Sequence, residues 1–116
     1  MTTLLIGDTP APHRVIPSCL SRAQHRGRPA SVCDVPRSRA VDTLARRAEV
    51  EGVAGLSNVH LLDLTDRFCT ATTCAATRGD TVVYLDGNHV TDAFVRGLTP
   101  TIDSALSSVL FDGHSQ

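Results

Sequence analysis

Lysine and tryptophan are absent from this sequence, tyrosine and methionine occur once each, and phenylalanine occurs three times. With aromatics at 3%, almost nothing is available to stack on nucleic-acid bases. Eleven arginines supply all the basic charge, several of them between Arg14 and Arg47, but twelve acidic residues bring the net charge to -1. No nucleic-acid partner is expected, and the arginines read as mostly solvated. Long apolar runs are missing too, so nothing spans a bilayer. The MTTLLIGD start lacks both the basic segment and the long apolar core of a signal peptide, and no export signal is expected in this chain. Low-complexity tracts and internal repeats are also absent. The hydrophobic fraction of 41% favours a folded chain over disorder, and 116 residues fit a single domain, residues 1–116.

The four cysteines point to an oxidising compartment. They fall into two local pairs, Cys19 with Cys33 and Cys69 with Cys74, each closing a short loop. In the chain-entropy account, a loop of roughly 15 residues closed in this way gains about 3 kcal/mol. Zinc held by these thiols with His25 or His60 is the rival arrangement, and free buried thiols a third. The tight C-x-x-C or H-x-x-x-H spacing of structural zinc sites is missing, so no metal is expected.

Apolar periodicity alternates between strand and helix. TLLIG (residues 3–7) reads as a buried strand, followed by a proline-rich loop with one helical turn around Cys19 to Gln24. From Pro36 to Glu51, Val41, Leu44, Ala45 and Ala48 share one face of an amphipathic helix, with Asp34 as its cap. VHLLDL (59–64) and TVVYL (81–85) read as a second and a third strand. A last helix should begin at Thr91 or Asp92 and turn Phe94, Leu98, Ile102, Leu106 and Val109 inward, with Pro100 bending or interrupting it. Strand, crossover helix and strand is the grammar of a parallel sheet covered by helices, an α/β fold.

Such sheets place their chemistry in loops at the carboxyl ends of strands. The stretch YLDGNHVTDAF puts Asp86 and His89 in such a loop, three positions apart. An imidazole can take a proton from a hydroxyl and hand it on, provided that it is aimed. A carboxylate on the same turn fixes the tautomer and leaves the other nitrogen free, and Gly87 and Asn88 suit the turn because both tolerate positive φ. On its own, D-x-x-H is also the pattern of a surface turn whose aspartate caps backbone amides. Other candidates are weaker. His13 and His25 fall in the proline-rich loop, His60 within an apolar strand, and His114 in a frayed tail. Asp63 and Asp66 look like strand-end and turn residues.

LDGNHVTDAF resembles the last block of the SGNH hydrolase superfamily, in which D-x-x-H supplies the acid and base of a Ser-His-Asp triad just before the C-terminal helix. In order, LLIGDTPAP, IPSCL, Cys33, LLDLTDRFC, Cys74 and VVYLDGNHVTDAF resemble the C-terminal half of the SGNH domain of membrane-bound acyltransferase-three proteins. Those proteins O-acetylate peptidoglycan and surface glycans. The similarity runs from Leu4 to about Leu110.

The resemblance implies a partial three-layer, flavodoxin-like fold in which His89 is the base and Asp86 its orienting carboxylate. It implies a carbohydrate or acyl-ester substrate, with no metal or diffusible cofactor. It also implies an extracytoplasmic location reached through upstream membrane helices, which accounts for cysteines without an export signal. The family's G-D-S serine and its oxyanion-hole glycine and asparagine blocks lie upstream of the part matched. The nearest local substitute is Thr9 in GDT, but Thr9 runs into Pro10-Ala11-Pro12, which is unsuited to start the required helix. Ser18 is a further serine to consider. A small disulfide-braced domain that binds a glycan or protein without chemistry is the alternative from a different class. Peptide mapping under non-reducing conditions should recover Cys19 joined to Cys33 and Cys69 joined to Cys74; stoichiometric zinc with four reduced thiols would contradict it.

Overall fold

A computed structural model describes residues 1–114, with side chains to Phe111, so the side chain of His114 lies outside the described residues. Strand β1 (Thr3–Ile6) pairs in parallel with β3 (Val59–Leu62), Thr3 opposite Val59 and Ile6 opposite Leu62. The crossover between them carries α1 (Ile16–His25), a short 3-10 turn (Ala30–Cys33), strand β2 (Val35–Pro36), α2 (Arg37–Ala40) and α3 (Thr43–Val53). After β3 come α4 (Thr65–Phe68), β4 (Thr73–Cys74), the hairpin β5 (Thr77–Arg78) with β6 (Thr81–Val82), α5 (Asp92–Gly97) and α6 (Thr99–His114). The mixed α/β organisation with a parallel pair and helices is the one expected.

Three local readings change. The helix expected over 36–51 breaks at Val41, because Asp42 starts a new one by accepting the amide hydrogen of Ala45 at 3.0 Å. Asp34 caps neither helix; it accepts the amide of Ala76 at 2.8 Å and ties the crossover to the cysteine loop. TVVYL does not become a third parallel strand. Its first two residues pair antiparallel with β5, the Val83 amide bonds Ala76 O at 3.0 Å, and the Val83 carbonyl accepts from Thr91 at 2.8 Å. Those bonds commit the segment to the hairpin and the returning chain instead of to β1 or β3.

Pro100 behaves as its chemistry requires. It lacks the N–H needed to continue α5, so the chain breaks at Leu98 and restarts with proline in the first turn of α6. Phe94, Leu98 and Val109 are buried, Ile102 is half-buried and Leu106 is exposed.

The core touches the parallel pair only at its edge, through Leu62 of β3. Ile16, Cys19 and Ala23 of α1 pack with Cys33, Val35, Phe68, Val83, Tyr84 and Phe94. Phe68 is the hub, its ring centroid 4.9 Å from that of Phe94 and 6.2 Å from that of Tyr84. Cys19–Cys33 and Cys69–Cys74 are disulfides with Cα separations of 5.9 and 4.0 Å, and no cysteine is free, which removes the zinc arrangement.

The strand expected to be buried is not: Leu5 and Ile6 are 41% and 44% exposed, α3 buries none of its residues, and Leu44 is 74% exposed. A parallel sheet is ordinarily covered on both faces. The radius of gyration, 16.5 Å, exceeds the roughly 13 Å of a compact domain of this length. The accessible surface of 7659 Å² likewise exceeds the roughly 6,100 Å² of a monomer of this mass.

The Tyr84 hydroxyl is buried without a hydrogen-bond partner among the described residues, and burial pushes the phenol up to about 12. Because burial disfavours the phenolate, the group costs the fold no ionisation energy below the unfolded value near 10, and stability falls as pH rises from there through about 12. Tyr84→Phe should therefore be neutral or stabilising by up to about 1 kcal/mol at pH 8, because it deletes an orphaned polar group. Its advantage over the wild type should widen by pH 11. Urea denaturation at both pH values measures the gap, and a clear loss of stability in Tyr84→Phe at pH 8 would mean that the hydroxyl has a partner.

Candidate active site

The loop between β6 and α5 is held at several points before any chemistry is considered. The Leu85 amide bonds the His89 carbonyl at 2.7 Å, and Tyr84 and Val90 form a single antiparallel bridge. Thr91 caps α5 by accepting from Phe94 at 3.3 Å, while its hydroxyl donates to Val82 O at 2.5 Å. From across the chain, the His13 amide donates to Gly87 O at 3.0 Å, and His13 adopts the left-handed region at φ +57° to do so. A Cβ at Gly87 would lie 3.4 Å from the backbone nitrogen and oxygen of Arg14. Close approach of that segment is therefore what Gly87 accommodates; neither it nor Asn88 has a positive φ.

Inside this frame, Asp86 uses both oxygens. Oδ1 accepts the amide hydrogens of His89 and Asn88, each at 2.7 Å, and Oδ2 lies 2.9 Å from His89 Nδ1. Because an ionised carboxylate only accepts, Nδ1 carries the hydrogen in this contact, and in the neutral ring Nε2 keeps its lone pair. The His89 amide, then the Asn88 amide, then the His89 ring hold the Asp86 carboxyl well below the usual carboxylate range, at about 2. The His89 side chain is 71% exposed. The pair shares one loop, as the sequence predicts, but the loop follows a two-residue hairpin strand rather than the carboxyl end of a parallel strand. Three cavities, beside α5, beside α2 and beside α1, are lined by other side chains.

A family model described as SGNH domain (fused to AT3 domains) matches residues 2–104, nearly the whole chain. The chain belongs to this family. No match is found among curated proteins or among solved structures.

Within this SGNH domain the remaining candidates are dispersed. Thr9 is half-buried beyond β1, and no hydrogen bond joins it to Asp86 or His89 among the described residues. The Asp8 amide next to it is taken by Glu49 Oε2 at 2.7 Å. Ser18 on α1 is exposed, as are His13 and His25, and His60 is half-buried in β3 opposite Leu4. Asp63 pairs with Arg46 and accepts from the hydroxyl and amide of Thr65. Burial works to raise its carboxyl, but those bonds outweigh it and hold it lowered. Asp66 pairs with Arg37 at 3.2 Å. Both carboxylates are thus engaged away from Asp86 and His89. Among the described residues, no group of three histidine, cysteine or acidic side chains is placed to hold a metal ion. The sequence reading missed that His13 and Arg14 buttress the loop; only the clustering of arginines from Arg14 onward pointed to that segment.

Two backbone amides dominate the Asp86 carboxyl, so His89→Ala should leave its midpoint below the ordinary carboxylate value, though above that of the wild type. The stability linked to this group is present above about pH 4 and lost as pH falls through about 2. Carboxyl-carbon NMR titration reads the midpoint directly; a return to the ordinary value in His89→Ala would show that the ring, not the amides, sets it.

Proposed function

We propose that this SGNH domain supplies the acid/base pair for O-acyl transfer to a glycan hydroxyl, or for hydrolysis of such an ester. The observation that carries this reading is the 2.9 Å contact between Asp86 Oδ2 and His89 Nδ1, which leaves Nε2 available at an exposed loop. In the proposed sequence, Nε2 takes the proton of a serine hydroxyl as its oxygen attacks the acyl carbonyl, and returns that proton to the departing group. The glycan hydroxyl, or water, then attacks the acyl-serine. Its proton passes to His89 and on to the released serine oxygen. Asp86 holds the tautomer and stabilises the imidazolium formed at each stage. No metal or diffusible cofactor enters these steps.

The serine is assigned to a part of the domain outside these residues, which makes the chain the C-terminal portion of an SGNH-type domain. Two observations support that assignment. Among the described residues no hydroxyl is hydrogen bonded to His89 Nε2, and the parallel pair and α3 expose Leu5, Ile6 and Leu44 where a larger sheet would cover them. The two disulfides fit an extracytoplasmic position reached through membrane helices elsewhere in the protein; among the described residues no helix is long and apolar enough to cross a membrane. A disulfide-braced glycan- or protein-binding domain is the second reading, favoured by three cavities whose linings include neither Asp86 nor His89.

Assayed alone on 4-nitrophenyl acetate, the chain should turn over near background, since it would lack the nucleophile and oxyanion donors worth roughly 3–4 kcal/mol each. Joined to a segment that supplies a G-D-S serine, it should show activity that His89→Ala lowers by about 10³-fold or more. Turnover by the chain alone that disappears in both His89→Ala and Thr9→Ala would make Thr9 the nucleophile, and turnover that survives Thr9→Ala but not Ser18→Ala would make it Ser18.

A further inference from the structure

One side of α1 collects positive charge that no carboxylate among the described residues offsets. A cavity of about 250 Å³ is lined by Arg14, Arg22, Arg26 and Arg28 together with Cys19 and Val32. None of these arginines takes part in an ion pair among the described residues, whereas Arg37, Arg46 and Arg96 each do. Arg22 and Arg26 stand one helical turn apart, an arrangement in which like charges oppose helix formation.

The backbone brings the others to them. Gly27, at φ +65°, ends α1 with its amide on Gln24 O at 3.1 Å and the Arg28 amide on Ala23 O at 2.8 Å. This paired closure turns Arg28 back over the helix end. Cations are favoured near a helix C-terminus, which accounts for one or two of the four. Arg14 arrives from the opposite end of α1, its Nη2 3.0 Å from Cys19 Sγ. The Cys19–Cys33 disulfide fixes the floor beneath it.

Arg14 also belongs to the candidate active site, since its backbone packs on Gly87 in the Asp86–His89 turn. A charged cavity and the dyad loop therefore share a wall. We infer that this arginine cavity binds the anionic group, a carboxylate or phosphate, of an acidic saccharide acceptor whose hydroxyl is presented to His89. Guanidinium forks suit both oxyanions. The assignment of that saccharide as acceptor rests on the acyl-transfer reading; the anion site itself does not.

The test titrates the full chain with glucuronate, glucose 6-phosphate, neutral glucose and inorganic phosphate, following the amide signals of Ala23 and Gly27 by NMR. Both acidic sugars should bind and glucose should not. The double variant Arg22→Gln/Arg28→Gln, with an unchanged melting temperature, should weaken acidic-sugar binding about tenfold or more. Arg39→Gln/Arg47→Gln, which removes the same charge elsewhere, should leave it unchanged. Persistence of binding in His89→Ala supports the anion site even if the acyl-transfer chemistry fails. Equal binding of glucose, or equal loss in the Arg39/Arg47 variant, would overturn the site. Inorganic phosphate binding more tightly than either sugar would overturn the saccharide assignment. So would arginine-dependent recruitment to phosphatidylglycerol vesicles without sugar binding, which would make the cavity a membrane contact.

Discussion

The Cys69–Cys74 disulfide and the aromatic cluster beside it carry the constraint on which the rest of this SGNH domain depends. In a chain of 116 residues whose parallel strands bury little, the core must come from elsewhere, and it is assembled around Phe68. Cys69 follows Phe68 at the end of α4, and Cys74 pairs with Val35 in the β2–β4 ladder, so the bridge joins the aromatic hub to the crossover. Cys19–Cys33 does the same for α1. Small cores of this kind commonly depend on such staples, because the apolar area that they bury only narrowly exceeds the entropy of ordering the chain.

The dyad inherits its rigidity from this core. Tyr84 is packed against Phe68, and two residues later the chain reaches Asp86; Thr91 caps the helix that delivers Phe94 to the same cluster. The loop that carries His89 is consequently pinned at both ends by the hydrophobic centre and in the middle by His13 on Gly87. Orientation of an imidazole by a carboxylate is useful only when the carboxylate is itself fixed, and here two backbone amides hold it. Three of the contacts that Asp86 makes thus come from its next three residues, and the surrounding fold needs only to keep that turn in place.

Elements defined by short-range chemistry were legible in advance. Asp86 with His89, the break at Pro100, the start of α5 at Thr91 and the pairing of nearby cysteines all depend on groups within a few residues or on loops that close readily. Long-range competition explains what was not. Asp34 was read as a helix cap, but its carboxylate is engaged by Ala76, and TVVYL was read as a third strand of the parallel sheet, but its first two residues pair antiparallel with β5 and the Val83 amide and carbonyl go to Ala76 and Thr91. Apolar residues in TLLIG promise burial, yet what covers them is a property of other segments.

The sequence by itself determined the local disulfide pairs and the carboxylate-imidazole turn, because each is closed by bonds between residues near one another in the chain, and the α/β character, because apolar periodicity alternates between strand and helix. Tertiary structure alone decided that the core would gather around Phe68 rather than beneath β1 and β3, and that Arg14 would lie against Gly87. It also decided that four arginines would line one cavity. The first two outcomes join segments far apart in sequence and depend on where α1 docks, which no pattern of residue types along a strand or helix encodes; the arginines are near one another in the chain, but their meeting depends on how Gly27 turns it.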